Sequence, residues 1–228
     1  MNMFKRYAVY YTPEPGTPLA DFGAAWLGWD SANGRACQQP DIAGLDVAAL
    51  TDTPRKYGFH GTIKPPFRLA DGHTAEGLQE ALAAFCTRSA PVTLEGLQLT
   101  RLGRFLALVP QGDASSLAQL AARAVQELDP FRAPLTEADL TKRRAARLTP
   151  AQDAHLVRWG YPYVLDQFRF HLTLSGKLDT PTIERAEAAL ALMPSQLDLA
   201  PYRLTGLTLL GEDDAGMFHQ IHRYALTG

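Results

Sequence analysis

Mixed α and β structure in two related lobes is the architecture this sequence predicts, and three observations carry it. Short runs rich in β-formers alternate with stretches of helical spacing along most of the chain. The order FHGTI, helix, LEGLQL, strand in the first half recurs as FHLTL, helix, LTGLTL, strand in the second. The offset holds, 111 residues between His60 and His171 and 110 between Gly96 and Gly206. Two copies are too few for a solenoid and suit duplicated halves packed face to face.

The elements follow in order. RYAVYY (6–11) is a first strand closed by the turn TPEPGTP, and residues 18–29 form a short helix. A loop with a short helix at IAGLDVAAL leads to the strand FHGTIKPPF (59–67), which Pro65 and Pro66 should terminate or push to an edge. TAEGLQEALAAFCTRS (74–89) is a helix capped by Thr74, and VTLEGLQLTRLG and RFLALVP are strands. From about Asp113 to Trp159 the chain is helical, in three segments each starting at a capping Ser or Thr, Thr136 and Thr149 among them. FRFHLTLSGKL (168–178) is then a strand, TPTIERAEAALALM a helix, and YRLTGLTLLG and FHQIHRYAL closing strands.

Composition narrows the function classes. An apolar fraction of 46% and a charged fraction of 20% over 228 residues are those of an ordinary globular protein. No apolar run is long enough to span a bilayer and the start lacks a signal-peptide pattern, so no membrane partner is expected and the cytoplasm is the default. Cys37 and Cys86 suit a reducing compartment and show no metal-ligand spacing. A net charge of −2 speaks against long nucleic acid as a partner, while the local runs Arg55–Lys56 and Lys142-Arg143-Arg144 with Arg147 would suffice for a small phosphorylated substrate.

The chemistry-bearing pattern is the doubled motif. In FHGTI, Phe59 and Ile63 point one way and His60, Thr62 and Lys64 the other; in FRFHLTL, Phe170, Leu172 and Leu174 oppose Arg169, His171 and Thr173. If the halves are related by a pseudo-twofold, both polar faces line one cleft. Two imidazoles then supply a general base and a general acid for displacement at phosphorus, and two hydroxyls hold the non-bridging oxygens. Nearby cations would stabilise the developing charge. No metal and no cofactor are called for.

These motifs resemble the paired H-x-T-x motifs of the 2H phosphoesterase superfamily. The resemblance implies a bilobal α+β (LigT-like) fold with an antiparallel sheet in each lobe around a central cleft. It makes His60 and His171 the acid/base pair and Thr62 and Thr173 the phosphate-holding hydroxyls. Over nearly the whole chain, RYAVYYTPEPG, FGAAWLGWD, RKYGFHGTIKPPF and RWGYPYVLDQFRFHLTLSG are similar to the branch of that superfamily found with bacterial phosphonate-utilisation genes. That likeness implies hydrolysis of a 5-phosphoribosyl 1,2-cyclic phosphate; a 2′,3′-cyclic phosphate on a nucleotide or RNA end is the alternative, and a non-catalytic phosphate-ligand module the rival from another class. The expected organisation is one bilobal domain over 1–228, with a first motif lobe centred on 54–110, a helical insert over about 113–159, a second lobe centred on 161–228, and residues 1–53 completing the lobes.

Candidate substrate-binding residues are Lys64 and Arg169, by strand alternation, and Tyr57, Tyr161 and Tyr163, which flank the motifs and could stack on or hydrogen-bond a sugar. Arg147, with Arg143 and Arg144, precedes the second motif at helical spacing and could meet a second phosphate; the bland alternatives are surface charge and core aromatics. Arg101 and Arg104 carry the same ambiguity. His219 and His222, three apart on a strand, do not suit a shared metal.

Overall fold

Strand β1 (Arg6–Tyr11) is buried from Tyr7 onward, as a central strand covered on both faces must be. Its alternation divides the protein: Tyr7, Val9 and Tyr11 join the main core, while Ala8 and Tyr10 join a small cluster with Leu210 and Phe218 on the other face. The computed structural model describes residues 4–192 and 197–228. Helix α1 (Pro18–Leu27) starts on the Thr17 hydroxyl and ends at left-handed Gly28. Two short strands, β2 (Trp29–Asp30) and β3 (Arg35–Ala36), and two short helices, α2 (Val47–Leu50) and α3 (Asp52–Arg55), lead to the first motif.

The first copy of the repeat comprises β4 (Gly61–Phe67), α4 (Ala75–Thr87), β5 (Val92–Leu94), β6 (Gly96–Leu102) and β7 (Phe105–Gln111). Helices α5 (Ser115–Glu127), α6 (Glu137–Arg144) and α7 (Pro150–Trp159) intervene. The second copy is β8 (Leu172–Thr173), α8 (Thr180–Leu190), β9 (Tyr202–Leu204), β10 (Gly206–Glu212) and β11 (Phe218–Ala225). Thr74, Thr136 and Thr149 cap α4, α6 and α7 as expected, the last two in reciprocal capping boxes. One cap differs, since α5 has no capping side chain, and Asp179 caps α8. Met193, expected to end α8, lies outside the described residues.

One antiparallel sheet runs in the order β11-β10-β1-β4-β8-β7-β6. The hairpin β6–β7 of the first copy therefore pairs with the motif strand of the second, and the hairpin β10–β11 of the second lies, across β1, beside the motif strand of the first. The segments 54–110 and 161–228 thus exchange hairpins, and neither forms a spatial half alone. The halves of the sheet meet at a single pair, Gly61 with Leu172. A separate ribbon pairs β5 with β9. Helices α4, α5 and α8 bury Leu82, Phe85, Leu117, Leu120, Ile183 and Ala186 in the main core on one face, which leaves the opposite face of the central strands for a cleft.

One expectation about the motif strands changes, and one open alternative is decided. The second motif strand is far shorter than 168–178, because the backbone N–H groups of Leu174 and Ser175 both turn to the carbonyl of Leu106 and that of Gly176 to Leu50, so the ladder stops after Thr173. Of the two outcomes expected at Pro65 and Pro66, termination or an edge, the first motif strand takes the second, running through them to Phe67. Past Gly61 it has no sheet partner on the β8 side, where α5 packs against it, so the missing N–H groups cost no ladder bond there.

Candidate active site

The register puts both motifs on one face. Gly61 and Leu172 face the core, so the residues flanking each, His60 and Thr62 on one strand and His171 and Thr173 on the other, project from the opposite face. Continuing the antiparallel register by one residue sets His60 opposite Thr173 and Thr62 opposite His171. Directly opposed side chains in such a pair have Cβ atoms about 5 Å apart. Gly61 has no alternative here, because a Cβ would lie 2.3 Å from the ring of Phe170.

Both imidazoles are anchored alike. Nδ1 of His60 lies 2.9 Å from the carbonyl of Gly58, and Nδ1 of His171 lies 2.8 Å from the carbonyl of Arg169, two residues back in each case. A carbonyl accepts only, so Nδ1 carries the proton in both rings, which makes Nε2 the acceptor nitrogen of the neutral imidazole. Nε2 of His60 is 3.2 Å from the Thr62 hydroxyl. The environments then diverge. His60 stacks on Tyr10, ring centroids 3.8 Å apart, with Tyr57 at 6.0 Å, and burial pushes its pKa down to about 4, the charge of His171 adding to the effect. His171 has Phe105 at 5.7 Å for its aromatic neighbour.

Two chambers open over this face and share Thr62, Pro65 and Tyr161. One, of about 300 Å³, holds His60, Thr173 and Ser175 with Arg6, Tyr10, Tyr57 and Arg143. The other, of about 780 Å³, holds His171 and Arg169 amid Phe105, Val109, Tyr163, Val164 and Phe168. Their linings contain three arginines and no carboxylate. Among the described residues no three His, Cys, Asp or Glu side chains are grouped to hold a metal ion.

The remaining sequence candidates divide. Tyr57 lines the small chamber and stacks on Phe218, and Tyr163, exposed, lines the large one edge-on to Tyr161. Arg169 reaches the large chamber, although one of its guanidinium nitrogens donates to the Phe168 carbonyl. Lys64 does not face the cleft. Thr62 pairs with Tyr10 but Lys64 pairs with Val9, so a bulge at Ile63 breaks the alternation and turns Lys64 toward the core. There its ammonium donates to the Val125 carbonyl at 3.0 Å and meets Asp129 at 3.4 Å, and burial lowers its pKa to about 8 against the pull of Asp129.

Arg147 lines neither chamber; it is exposed, with a left-handed backbone (φ 55°) just past α6. Arg143, one turn earlier, takes that place with its guanidinium 4.7 Å over the Tyr161 ring, while Arg144 forks onto Asp153. Tyr10 and Arg6 escaped the sequence reading. Strand alternation in RYAVYY puts Arg6, Ala8 and Tyr10 on one face, but nothing local says that this face meets the motifs.

A family profile described as "Protein of unknown function (DUF1045)" matches residues 62–219. The chain is 43% identical over 176 residues to a protein of Janthinobacterium sp. (strain Marseille) named ribose 1,5-bisphosphate phosphokinase PhnN, covering 76% of this chain and 39% of that one. It is 35% identical over 227 residues to a protein of the same name from Laribacter hongkongensis (strain HLHK9), covering 96% and 51%. The chain thus spans about half, or less, of the length of these curated relatives. Among solved structures it is similar to E. coli LigT complexed with NADP+, at 17% identity and a TM-score of 0.44 over 100% of both chains. Among the described residues no helix is long and apolar enough to cross a membrane.

Proposed function

The chain belongs to the DUF1045 family, and we propose that it is a metal-independent cyclic phosphodiesterase working by two-histidine acid/base catalysis on a small sugar cyclic phosphate. The observation that carries this reading is the equivalent anchoring of His60 and His171, each with Nδ1–H tied to the carbonyl two residues back and each on the same sheet face as Thr62 and Thr173.

A water attacks phosphorus while Nε2 of His60, unprotonated at neutral pH, accepts its proton. The ring P–O bond breaks, and Nε2–H of His171 gives a proton to the leaving oxygen, so a cyclic diester and water become a hydroxyl and a phosphate monoester. The Thr62 and Thr173 hydroxyls hold the non-bridging oxygens, Thr62 releasing His60 to do so, and the arginine-lined, carboxylate-free walls favour the growing negative charge.

The leading substrate is 5-phosphoribosyl 1,2-cyclic phosphate. Water cleaving its bond from phosphorus to O2 leaves ribose 1,5-bisphosphate, the compound in the name of the two relatives. The second reading is a nucleoside 2′,3′-cyclic phosphate, favoured by the aromatic and apolar lining of the larger chamber, on which a base could stack. Its place would be a cytoplasmic enzyme for small phosphorylated molecules.

Incubation with a panel of cyclic phosphates, read by phosphorus NMR, tests the proposal. Ring opening of the ribosyl substrate to the 1-phosphate in the presence of a chelator is the expected result. Binding without turnover of any member would replace the enzyme by a phosphate-ligand module.

A further inference from the structure

We infer that Arg143 reads a second, non-reacting phosphate on the substrate, a terminal monoester on the sugar whose cyclic phosphate lies over the histidines. The inference rests on the cyclic phosphodiesterase reading and names the class of sugar that the site selects.

Three arginines line the cleft, and one of them is neutralised. Both nitrogens of one edge of Arg6 donate to the Glu212 carboxylate, which neutralises it. Arg169 lies in the other chamber, next to His171, with a nitrogen on the Phe168 carbonyl. Arg143 has neither a carboxylate nor a carbonyl partner among the described residues, although its neighbour Arg144 pairs with Asp153 on α7. What holds it is the face of Tyr161, and stacking on an aromatic face leaves the in-plane N–H fork unused. That fork matches two oxygens of a terminal phosphate.

Charge favours a target other than the reacting group. The cyclic diester bears one negative charge and is already met by two threonine hydroxyls and His171. A monoester carries close to two charges at neutral pH, the anion for which an unpaired guanidinium does most. Arg143 belongs to the chamber of about 300 Å³ that also holds His60 and Tyr57, a space for a sugar rather than a polymer. Helix α6, which carries Arg143, has no buried residue and is held by the ion pairs Arg68–Asp139 and Arg144–Asp153.

The test compares ribose 1,2-cyclic phosphate with and without a 5-phosphate, in the wild type, Arg143→Met and Arg143→Lys. The wild type should prefer the phosphorylated sugar in kcat/KM by about a hundredfold, Arg143→Met should cut that preference at least about tenfold, and Arg143→Lys should restore part of it. Equal losses on both sugars would make Arg143 a structural support, and no wild-type preference would remove the second phosphate; either overturns the proposal. If the wild type turns over neither sugar, the parent reading fails instead, and calorimetry with ribose 5-phosphate decides: about tenfold weaker binding by Arg143→Met sustains the subsite, and equal binding ends it.

Discussion

Gly61 pairs across the sheet with Leu172, the residue that holds its own place in the second copy of the motif. Thr93 pairs in the same way with its counterpart Arg203. An antiparallel pair of equivalent positions must lie on the twofold that relates the copies, so a pseudo-twofold axis passes through both pairs. His60 and His171 are images across it, as are Thr62 and Thr173. The symmetry stops at the surroundings, with Tyr10 stacked on one imidazole and Phe105 tilted 5.7 Å from the other. Two like groups in unlike environments are what a base and an acid require.

Replacing either histidine should separate chemistry from binding. His60→Ala and His171→Ala are each expected to lower kcat by about a thousandfold or more while the affinity for a non-hydrolysable cyclic phosphate changes less than about tenfold. Single-turnover kinetics alongside calorimetry would check this. A variant keeping a tenth of the wild-type rate would remove its histidine from the proton transfers.

The pH dependence of stability should carry the mark of His60. Its folded pKa of about 4 lies below the ordinary 6.5, so the unfolded chain takes up the proton first. The contribution is complete above about pH 6.5 and shrinks as pH falls toward 4, by at most about 3 kcal/mol. Denaturant midpoints at several pH values should show a steeper acid loss for the wild type than for His60→Gln. For the same reason the base limb of kcat/KM should hold down to about pH 4.

Lys64 should matter to folding and little to catalysis. Lys64→Met keeps the volume and leaves Asp129 paired with Arg132, at 2.8 Å, but removes the donor to the Val125 carbonyl. A stability loss of about 1–3 kcal/mol is expected, with kcat/KM within about threefold of the wild type. A collapse of activity in a folded variant would put the ammonium in the cleft.

Gly61 is the point on which both motifs turn. In Gly61→Ala the added Cβ meets the Phe170 ring, and overpacking of this kind costs about 1–3 kcal/mol. Activity should fall further than stability, since the strands carrying the histidines are forced apart. Phe170→Leu in the same chain should recover part of both, as thermal melts and turnover would show; no recovery would locate the damage elsewhere.

The sequence alone settled what is local or periodic. Alternation marked the core and polar faces of FHGTI and FHLTL, the fixed offset exposed the duplication, and Thr74, Thr136 and Thr149 announced their helices. Those features depend on neighbours within a few residues, or on comparing the chain with itself. Tertiary pairing decided the rest. The bulge that turns Lys64 inward arises because two residues of β4 face one of β1, and a single extra residue reverses every alternation argument beyond it. The second motif strand shrank to two residues because Leu106 and Leu50 drew away its hydrogen bonds, and Tyr10 and Arg143 came to the cleft through strand order and helix placement that no local pattern encodes. Which residue faces which partner is a property of long-range packing, and a one-residue change in register is invisible until both strands are in view.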